Sequence, residues 1–593
     1  MAIDPQADFV EAFEGELAYL REQGAQFALD YPKVAARLGL AGHHVSDPHV
    51  ERLIEAFAFL TARIHRSIAL DLPELTAQLL GALHPHLVSP IPSMAIAEVD
   101  ASDKPAILPP GTVLYAEAAG GETCRFRTAY PVSLAPVEIT DAALVAPESL
   151  EVRPDVRDVA AVLSVRVEAK EGLLEDFGLD RLRFFLGTGG AAARLYDAIF
   201  AHGLGARVEL YGEEDAGGPT HAPARIEPVG LGEDGGVLPT SDSTSPAHRL
   251  LQELLAFPEK FLFFDVVPGA PLRGKAAEIH VWLSRRPPES VVVQKTSLRL
   301  RCTPIVNVFR MTAEPIRVEH RQPEYRLVAD HRRERFVAIH SIERVAATAP
   351  GEEKQRVFSP FFAFSHHLPA DAPEAFWLAR RVPCDRKELP GTDVYLTFVD
   401  SRFSLARPPA DAVYASVLCT NRDLSSEMDA GARLTIEEAP EIAAVRCLTK
   451  PTPERSPALG GETLWRLVSN LSLNHLSLVE GEQGLAALRG ILEAQLVWES
   501  TEARRQISGI SAVSSRTVTR AVGRGFCRGR EVTLTVNERE FVGSSPILFG
   551  AVLSSFFSLY AHYSSFTELV LKSTSREEVW RRWPPMAGGK ALL

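Results

Sequence analysis

Apolar side chains recur at helical spacing between about residues 9 and 83, and at strand spacing after Pro85. Phe9, Phe13, Leu17, Leu20 and Phe27 fall on one stripe and predict a helix over residues 9–29, which Tyr31-Pro32 closes. Asp47-Pro48 then offers an N-cap followed by proline at the first helical position. The apolar residues that follow, Val50, Leu53, Phe57, Leu60, Ile64 and Ile68, step by three or four, close to a short coiled-coil seam. Two long amphipathic helices of this kind pair with each other or dock on the helices of a partner.

Pro90, Pro92, Pro105, Pro109 and Pro110 exclude further long helices, and short alternating runs take over. Strands are expected at residues 124–128, 162–167, 279–283, 297–309 and 393–399. Residues 230–246, rich in Gly, Ser and Asp, predict a long loop or flexible insertion, and residues 450–461, with three prolines, a linker. Beyond it, residues 463–473, 485–496 and 546–563 predict helices, and residues 531–536 a strand. The expected fold is α+β and multidomain: a helical region at residues 1–90, β-rich domains at 91–290 and 291–450, and a mixed α/β domain at 451–593.

The densest apolar run is Phe257-Pro258-Glu259-Lys260-Phe261-Leu262-Phe263-Phe264-Asp265. From Phe261 onward both faces of an extended chain are apolar, which predicts a strand covered on both sides. Exposed, the same run would be an aggregation site.

A chain of 593 residues allows about three or four domains. With 46% apolar and 23% charged residues it has the composition of a globular protein with large cores. The net charge of −13 argues against a nucleic-acid binder that relies on a basic field. Cys124, Cys302, Cys384, Cys419, Cys447 and Cys527 are scattered without a CxxC pair, so neither a zinc ribbon nor a disulfide scaffold is expected. The opening MAIDPQADFVEAF lacks the basic stretch and apolar core of a signal peptide. The apolar stretch 547–563 is broken by Ser554, Ser555, Ser558 and His562 and is too short and polar for a membrane span. Any membrane association is therefore expected to be indirect.

Two nucleotide-binding patterns need weighing. Gly187-Thr188-Gly189-Gly190-Ala191-Ala192 fits GxGxxA between a strand-like and a helix-like run, with Glu209 twenty residues beyond Gly189. A dinucleotide fold needs repeated βαβ units, which the strand-rich flanks do not supply. The stretch Gly269-Ala270-Pro271-Leu272-Arg273-Gly274-Lys275-Ala276 matches a P-loop until Ala276, which lacks the metal-binding hydroxyl. Pro271 removes a phosphate-cradling N–H, and the following AAEIHVWL reads as a strand where a helix is required. His43-His44, His84-x-His86 and His366-His367 carry no metal-site spacing and read as solvent-facing or capping residues. No GxSxG elbow is present, and no carboxylate pair stands out as acid and base.

Ten blocks carry a resemblance. They are FEGELAYLREQGAQFALDYPKVAARLGL, DPHVERLIEAFAFLTARI, PELTAQLLGALHPHLVSPIPSMAI, FPEKFLFFD, CTPIVNVF, EPIRVEHRQPEYRLV, CTNRDL, LWRLVSNLSLNHLSL, FVGSSPILFGAVLSSFF and RRWPP. In this order, over nearly the whole chain, they resemble the TssF (ImpG/VasA) family of type VI secretion baseplate subunits. The resemblance implies a non-enzymatic role without cofactor or metal, in a cytoplasmic wedge docked at the inner membrane. Implied partners are TssG, TssK, TssE, a second TssF copy and the spike and tube of the tail, with no nucleic acid. The alternatives are a nucleotide-binding enzyme built on the Gly187 loop, or a wedge protein of another contractile phage-tail-like system.

With that resemblance, the candidate interface residues are Phe13, Leu17, Leu20, Leu53, Phe57 and Ile64 on the N-terminal helices. In the C-terminal domain they are Trp465, Phe549 and Phe556.

Overall fold

The computed structural model describes residues 13–14, 17, 20, 28, 32–37, 48–71, 73–100, 105–118, 121–150, 156–211, 220–232, 235–239, 245–318, 322–348, 356–361, 376–384, 386, 389, 391–399, 412–437, 444–460, 463, 481–496, 498, 500–522, 525–561, 565–576 and 578–587. The chain forms two compact units, Met1–Leu79 with Leu459–Val468, and Leu80–Ala458 with Ser469–Leu593.

The first unit is helical where it is described. Helices Pro32–Arg37 and Pro48–Asp71 both start on a proline, whose fixed φ suits the first helical position and whose missing N–H costs nothing there. Pro32 therefore opens a helix, as well as marking the end of the run before it.

The second unit is built on sheets. The largest runs in the order Val137–Val145, Ala161–Ala169, Ala276–Leu283, Gly203–Tyr211, Thr220–Pro228, Phe263–Pro268 and Leu182–Phe185, every neighbouring pair antiparallel. Alternation gives it two different faces. Ala277, Ile279, Val281 and Leu283 point into the main core, while Glu278, His280 and Trp282 stand on the other side. Helix Gly189–His202 lies across Gly203–Tyr211 and Ala276–Leu283.

The Phe257–Asp265 run divides in two. Pro258–Phe261 is a 3₁₀ turn, and Phe263–Pro268 is an interior strand between Thr220–Pro228 and Leu182–Phe185. Phe263 meets Phe185 and Tyr130 on one face, and Phe264 stacks on Phe184 at 5.2 Å on the other. The strand is thus covered on both sides, as the pattern predicted. Under it, Lys260 and Glu253 form a fully buried ion pair; Glu253 also accepts from the N–H groups of Val237 (2.7 Å) and Leu238 (2.8 Å). Lys260 Nζ donates to the Gly235 carbonyl at 2.8 Å. The loop expected to be flexible is therefore anchored at residues 235–238 by charge-assisted hydrogen bonds.

The sheets disregard the expected boundary near residue 290. A six-stranded sheet has the order Arg433–Leu434, Val445–Cys447, Met94–Val99, Cys302–Val306, Thr123–Thr128, Val113–Glu117. Residues 450–461 do not behave as a linker either. Leu448, Thr452 and Arg455 donate backbone hydrogen bonds to Ile96, Met94 and Ile91, stitching this segment beside the first strand. A separate β module has its own core: Phe309–Thr312, Ala412–Thr420, Ala338–Thr348 and Arg356–Phe358 form one sheet, and Tyr325–Leu327, Thr392–Val399 and Phe376–Pro383 another.

At the C-terminal end, strands Ile510–Val522 and Gly525–Val536 form a long hairpin. Phe566–Ser573 then joins Gly525–Val536 in parallel, a pairing that requires a crossover, and helix Pro546–Ser558 supplies it. This helix packs on Gly189–His202 and Pro246–Ala256, so the C-terminal segment shares the main core with residues of the second quarter of the chain.

Candidate partner interface

Helix Pro48–Asp71 buries two of its alanines and exposes several large apolar residues. Ala58 and Ala62 are fully buried, whereas Leu53, Phe57 and Leu60 are 69%, 60% and 54% exposed. Positions i, i+4 and i+7 share one helical face, so these three form a continuous apolar ridge. Between the two faces, Phe59 meets Phe13 edge-on with ring centroids 6.4 Å apart. Phe13, Leu17 and Leu20 are half-buried. Single exposed apolar residues are ordinary; three in register on one helix face form a contiguous apolar patch. Covering each would contribute up to about 1.5–3 kcal/mol. The backbone of Ile64 continues the helix, and its side chain lies outside the described residues, as does Trp465.

Two C-terminal candidates are corrected. Phe549 and Phe556 are fully buried on the crossover helix, Phe549 against Phe541 and Phe556 against His248, Phe557 and Tyr560. They hold the core and present no surface. The most exposed large apolar side chain that this region presents among the described residues is Phe526, 84% exposed near the end of the long hairpin. Its signal in the sequence is the Gly523-Arg524-Gly525 turn between two alternating runs, which places the next residue at a hairpin tip.

The glycine loop after Leu182–Phe185 does bend on two positive φ angles, 81° at both Gly187 and Gly189, and it opens helix Gly189–His202. The topology nevertheless differs from a dinucleotide fold. Strands Leu182–Phe185 and Gly203–Tyr211 are separated in the sheet by two others and run antiparallel to each other. A helix N-terminus at the carboxyl edge of adjacent parallel strands, the arrangement that receives a pyrophosphate, is not formed here. Glu209 instead faces Glu278 and His221 across its neighbouring strands. The P-loop-like stretch leads into strand Ala276–Leu283, as its sequence predicted.

His84 and His86, expected at the surface or at caps, join His248 in a cluster with ring centroids 5.4–5.8 Å apart, in which His86 and His248 are buried and His84 is half-buried. Burial lowers the pKa of all three. His86 lies well below the usual imidazole range, helped by His248 and His84, and His248 is held down to about 4 by burial and His84. Among the described residues no helix is long and apolar enough to cross a membrane.

The chain thus combines an exposed apolar helix face in one unit with several sheet modules in the other. The family described as "Type VI secretion system, TssF" matches residues 5–590, and the chain belongs to it. It is similar to the type VI secretion system component TssF1 of Pseudomonas aeruginosa strain PAO1, with 31% identity over 98% of this chain and 99% of that protein. Among solved structures, it resembles a chain of the TssK-TssF-TssG baseplate subcomplex determined by cryo-electron microscopy. The TM-score is 0.73 at 24% identity, covering 90% of this chain and 98% of that one. A chain of the type VI secretion baseplate complex matches with a TM-score of 0.59 at 23% identity, over 99% of this chain and 100% of that one.

Proposed function

We propose that this chain is a structural, non-catalytic subunit of the type VI secretion baseplate wedge, binding TssG and TssK and helping to template the contractile tail. The observation that carries this reading is the Leu53–Phe57–Leu60 ridge in a chain that matches the TssF family from residue 5 to residue 590. An apolar helix face of this kind is completed by helices of a partner, and TssG and a second copy of this chain are the partners assigned to it. Contacts with TssE and with the spike and tube, and a position docked on the inner membrane through the secretion membrane complex, belong to the same proposal.

The test is co-purification of tagged full-length chain with TssG and TssK. The doubly substituted Phe57→Glu, Ile64→Glu chain is expected to lose TssG while its β-rich unit keeps its proteolytic resistance. Full retention of the complex by that variant would overturn the proposal.

A further inference from the structure

On the polar side of the seven-stranded sheet, Glu278 of Ala276–Leu283 stands directly opposite Glu209 of Gly203–Tyr211, which in turn stands opposite His221 of Thr220–Pro228. His280, two residues along from Glu278, shares their face. Like charges directly opposite on paired strands repel. Glu209 is buried, so its charge is costly unless compensated.

Elsewhere this chain meets the same difficulty with arginine. Glu531 and Glu568 are also direct strand neighbours, and Arg516, Arg520 and Arg582 all reach them, the closest contacts lying at 2.5–3.0 Å. Among the described residues the ion-pair partners of Glu209 and Glu278 are imidazoles; Arg166, directly opposite Glu278, pairs with Glu168 at 2.8 Å, and Arg207, opposite His280, lies over Trp282.

The spacing of those imidazoles is informative. His280 Nε2 lies 3.4 Å from Glu209 Oε2 and 3.9 Å from Glu278 Oε1, and His221 Nδ1 lies 3.5 Å from Glu209 Oε1. N–H···O hydrogen bonds cluster at about 2.7–3.2 Å, so these gaps are long for direct bonding. The two shorter ones, 3.4 and 3.5 Å, are close to the separation of about 3.3 Å between ligand atoms around a tetrahedral ion with bonds of about 2.0–2.1 Å. One ligand atom from each of Glu209, Glu278 and His280 falls within 4.8 Å of the others.

The surroundings hold these groups in place. Tyr211 Oη lies 3.1 Å from Glu278 Oε2 and 3.4 Å from Glu209 Oε2, and Ser164 Oγ donates to Glu278 Oε1 at 2.6 Å. His280 is 1% exposed and stacks on Trp282 with 9° between the ring planes. Among the described residues its Nδ1 has no hydrogen-bond partner, and its Nε2 faces the cluster. Hydrogen bonds to the carboxylates and stacking of the imidazole orient these groups toward one another, while the hydrogen bond that usually fixes the second nitrogen of a ligating imidazole is not made by His280 Nδ1.

We propose that Glu209, Glu278 and His280 bind one divalent transition-metal ion. Zinc is the best fit to two carboxylates and an imidazole. The fourth position is left to water or to His221, whose side chain is one-third exposed. The ion cancels the two carboxylate charges and clamps two adjacent strands, serving structure and not turnover.

The experiment uses the full-length chain, freed of metal by chelator dialysis and titrated with zinc chloride by calorimetry and by thermal melting. One zinc per chain and a raised melting temperature are expected. Cobalt(II) in place of zinc is expected to give the intense visible absorption of a low-coordinate site. Glu209→Gln and Glu278→Gln should each weaken zinc binding at least tenfold. Because Glu209 is buried and its variant could misfold, Glu278→Gln, at the more exposed carboxylate, is the deciding one. His248→Gln, in the separate histidine cluster, should bind as the unaltered chain does. The proposal is overturned if the unaltered chain shows no saturable zinc binding, or if folded Glu278→Gln binds zinc as tightly as the unaltered chain.

Discussion

Asn307 and Asn421, 114 residues apart, hold each other by two hydrogen bonds: the Asn421 backbone N–H donates to Asn307 Oδ1 at 2.6 Å, and Asn307 Nδ2 donates to Asn421 Oδ1 at 2.8 Å. Both side chains are fully buried, and Asn421 Oδ1 also accepts from the Arg125 N–H while Asn307 Nδ2 donates to its carbonyl. Asn307 follows the Cys302–Val306 strand of one sheet and Asn421 follows the Ala412–Thr420 strand of another. The pair is therefore the polar bolt between two β modules. Asn307→Leu takes the partner from the Asn421 N–H and from the Arg125 carbonyl, at about 1–3 kcal/mol each. A drop of several degrees in melting temperature is expected, and an unchanged melt would contradict the bolt.

The Lys260–Glu253 pair allows a sharper test. Removing one member of a buried ion pair strands the other, at about 3–5 kcal/mol, whereas replacing both with apolar residues costs far less. Lys260→Met should therefore melt well below the unaltered chain, and Lys260→Met with Glu253→Leu should recover part of the loss. The recovery is expected to be incomplete because Glu253 also holds the N–H groups of Val237 and Leu238. A double variant less stable than the single one would show that the carboxylate, and not the pairing, is what the site requires.

Exposure separates surface residues from core residues. Leu53→Ser and Phe526→Ser should each change stability by less than about 0.5 kcal/mol, as surface substitutions do. Phe549→Ala and Phe264→Ala should cost about 3–5 kcal/mol as large-to-small core changes. Urea-gradient gels that placed Phe526→Ser beside Phe549→Ala would refute the assignment of Phe526 to the surface.

The buried histidines predict an acid-sensitive core. His248 titrates at about 4 in the folded chain, against the ordinary 6.5, so the unfolded chain binds the proton first as the pH falls. Its contribution is fully present above pH 6.5 and is lost progressively down to about pH 4, a difference of roughly 3 kcal/mol. Asp197 works in the opposite direction. Burial raises its carboxyl to about 7, so its contribution is lost as the pH rises from the ordinary 3.8 through 7. Comparing the unaltered chain with His248→Gln isolates the histidine. The variant's melting temperature should fall less between pH 6.5 and 4.5, and parallel curves would exclude the role of His248.

Much of the fold could be read from side-chain pattern because it is local. Thr123–Thr128, Ala161–Ala169 and Thr392–Val399 alternate apolar and polar residues, and Pro48 announces its helix. Division into domains could not be read this way, because Met94–Val99 takes its neighbours from residues 302–306 and 445–447, and no local pattern records such pairing. The exposure of the candidate residues was readable by half. The 3.6-residue stripe identified Leu53 and Phe57 as apolar, but periodicity alone does not say whether a stripe faces inward or outward. Ala58 and Ala62 decide that, since small residues let a helix approach its neighbours closely. On the crossover helix the rule inverts: it is apolar nearly all round, the mark of a helix enclosed by protein, which is why Phe549 and Phe556 are core.

The first strand of the six-stranded sheet also has a history in time. Met94 N–H is satisfied by Thr452 Oγ1, a residue made 358 positions later. At about 5–20 residues per second, synthesis of the intervening chain takes on the order of 20–70 s. Throughout that interval the edge of Met94–Val99 that Val445–Cys447 will cover lies open to any other extended segment. The number of usable subunits a cell obtains is therefore set partly by how well this unfinished edge is sheltered during translation, before the stability of the finished sheet has any bearing.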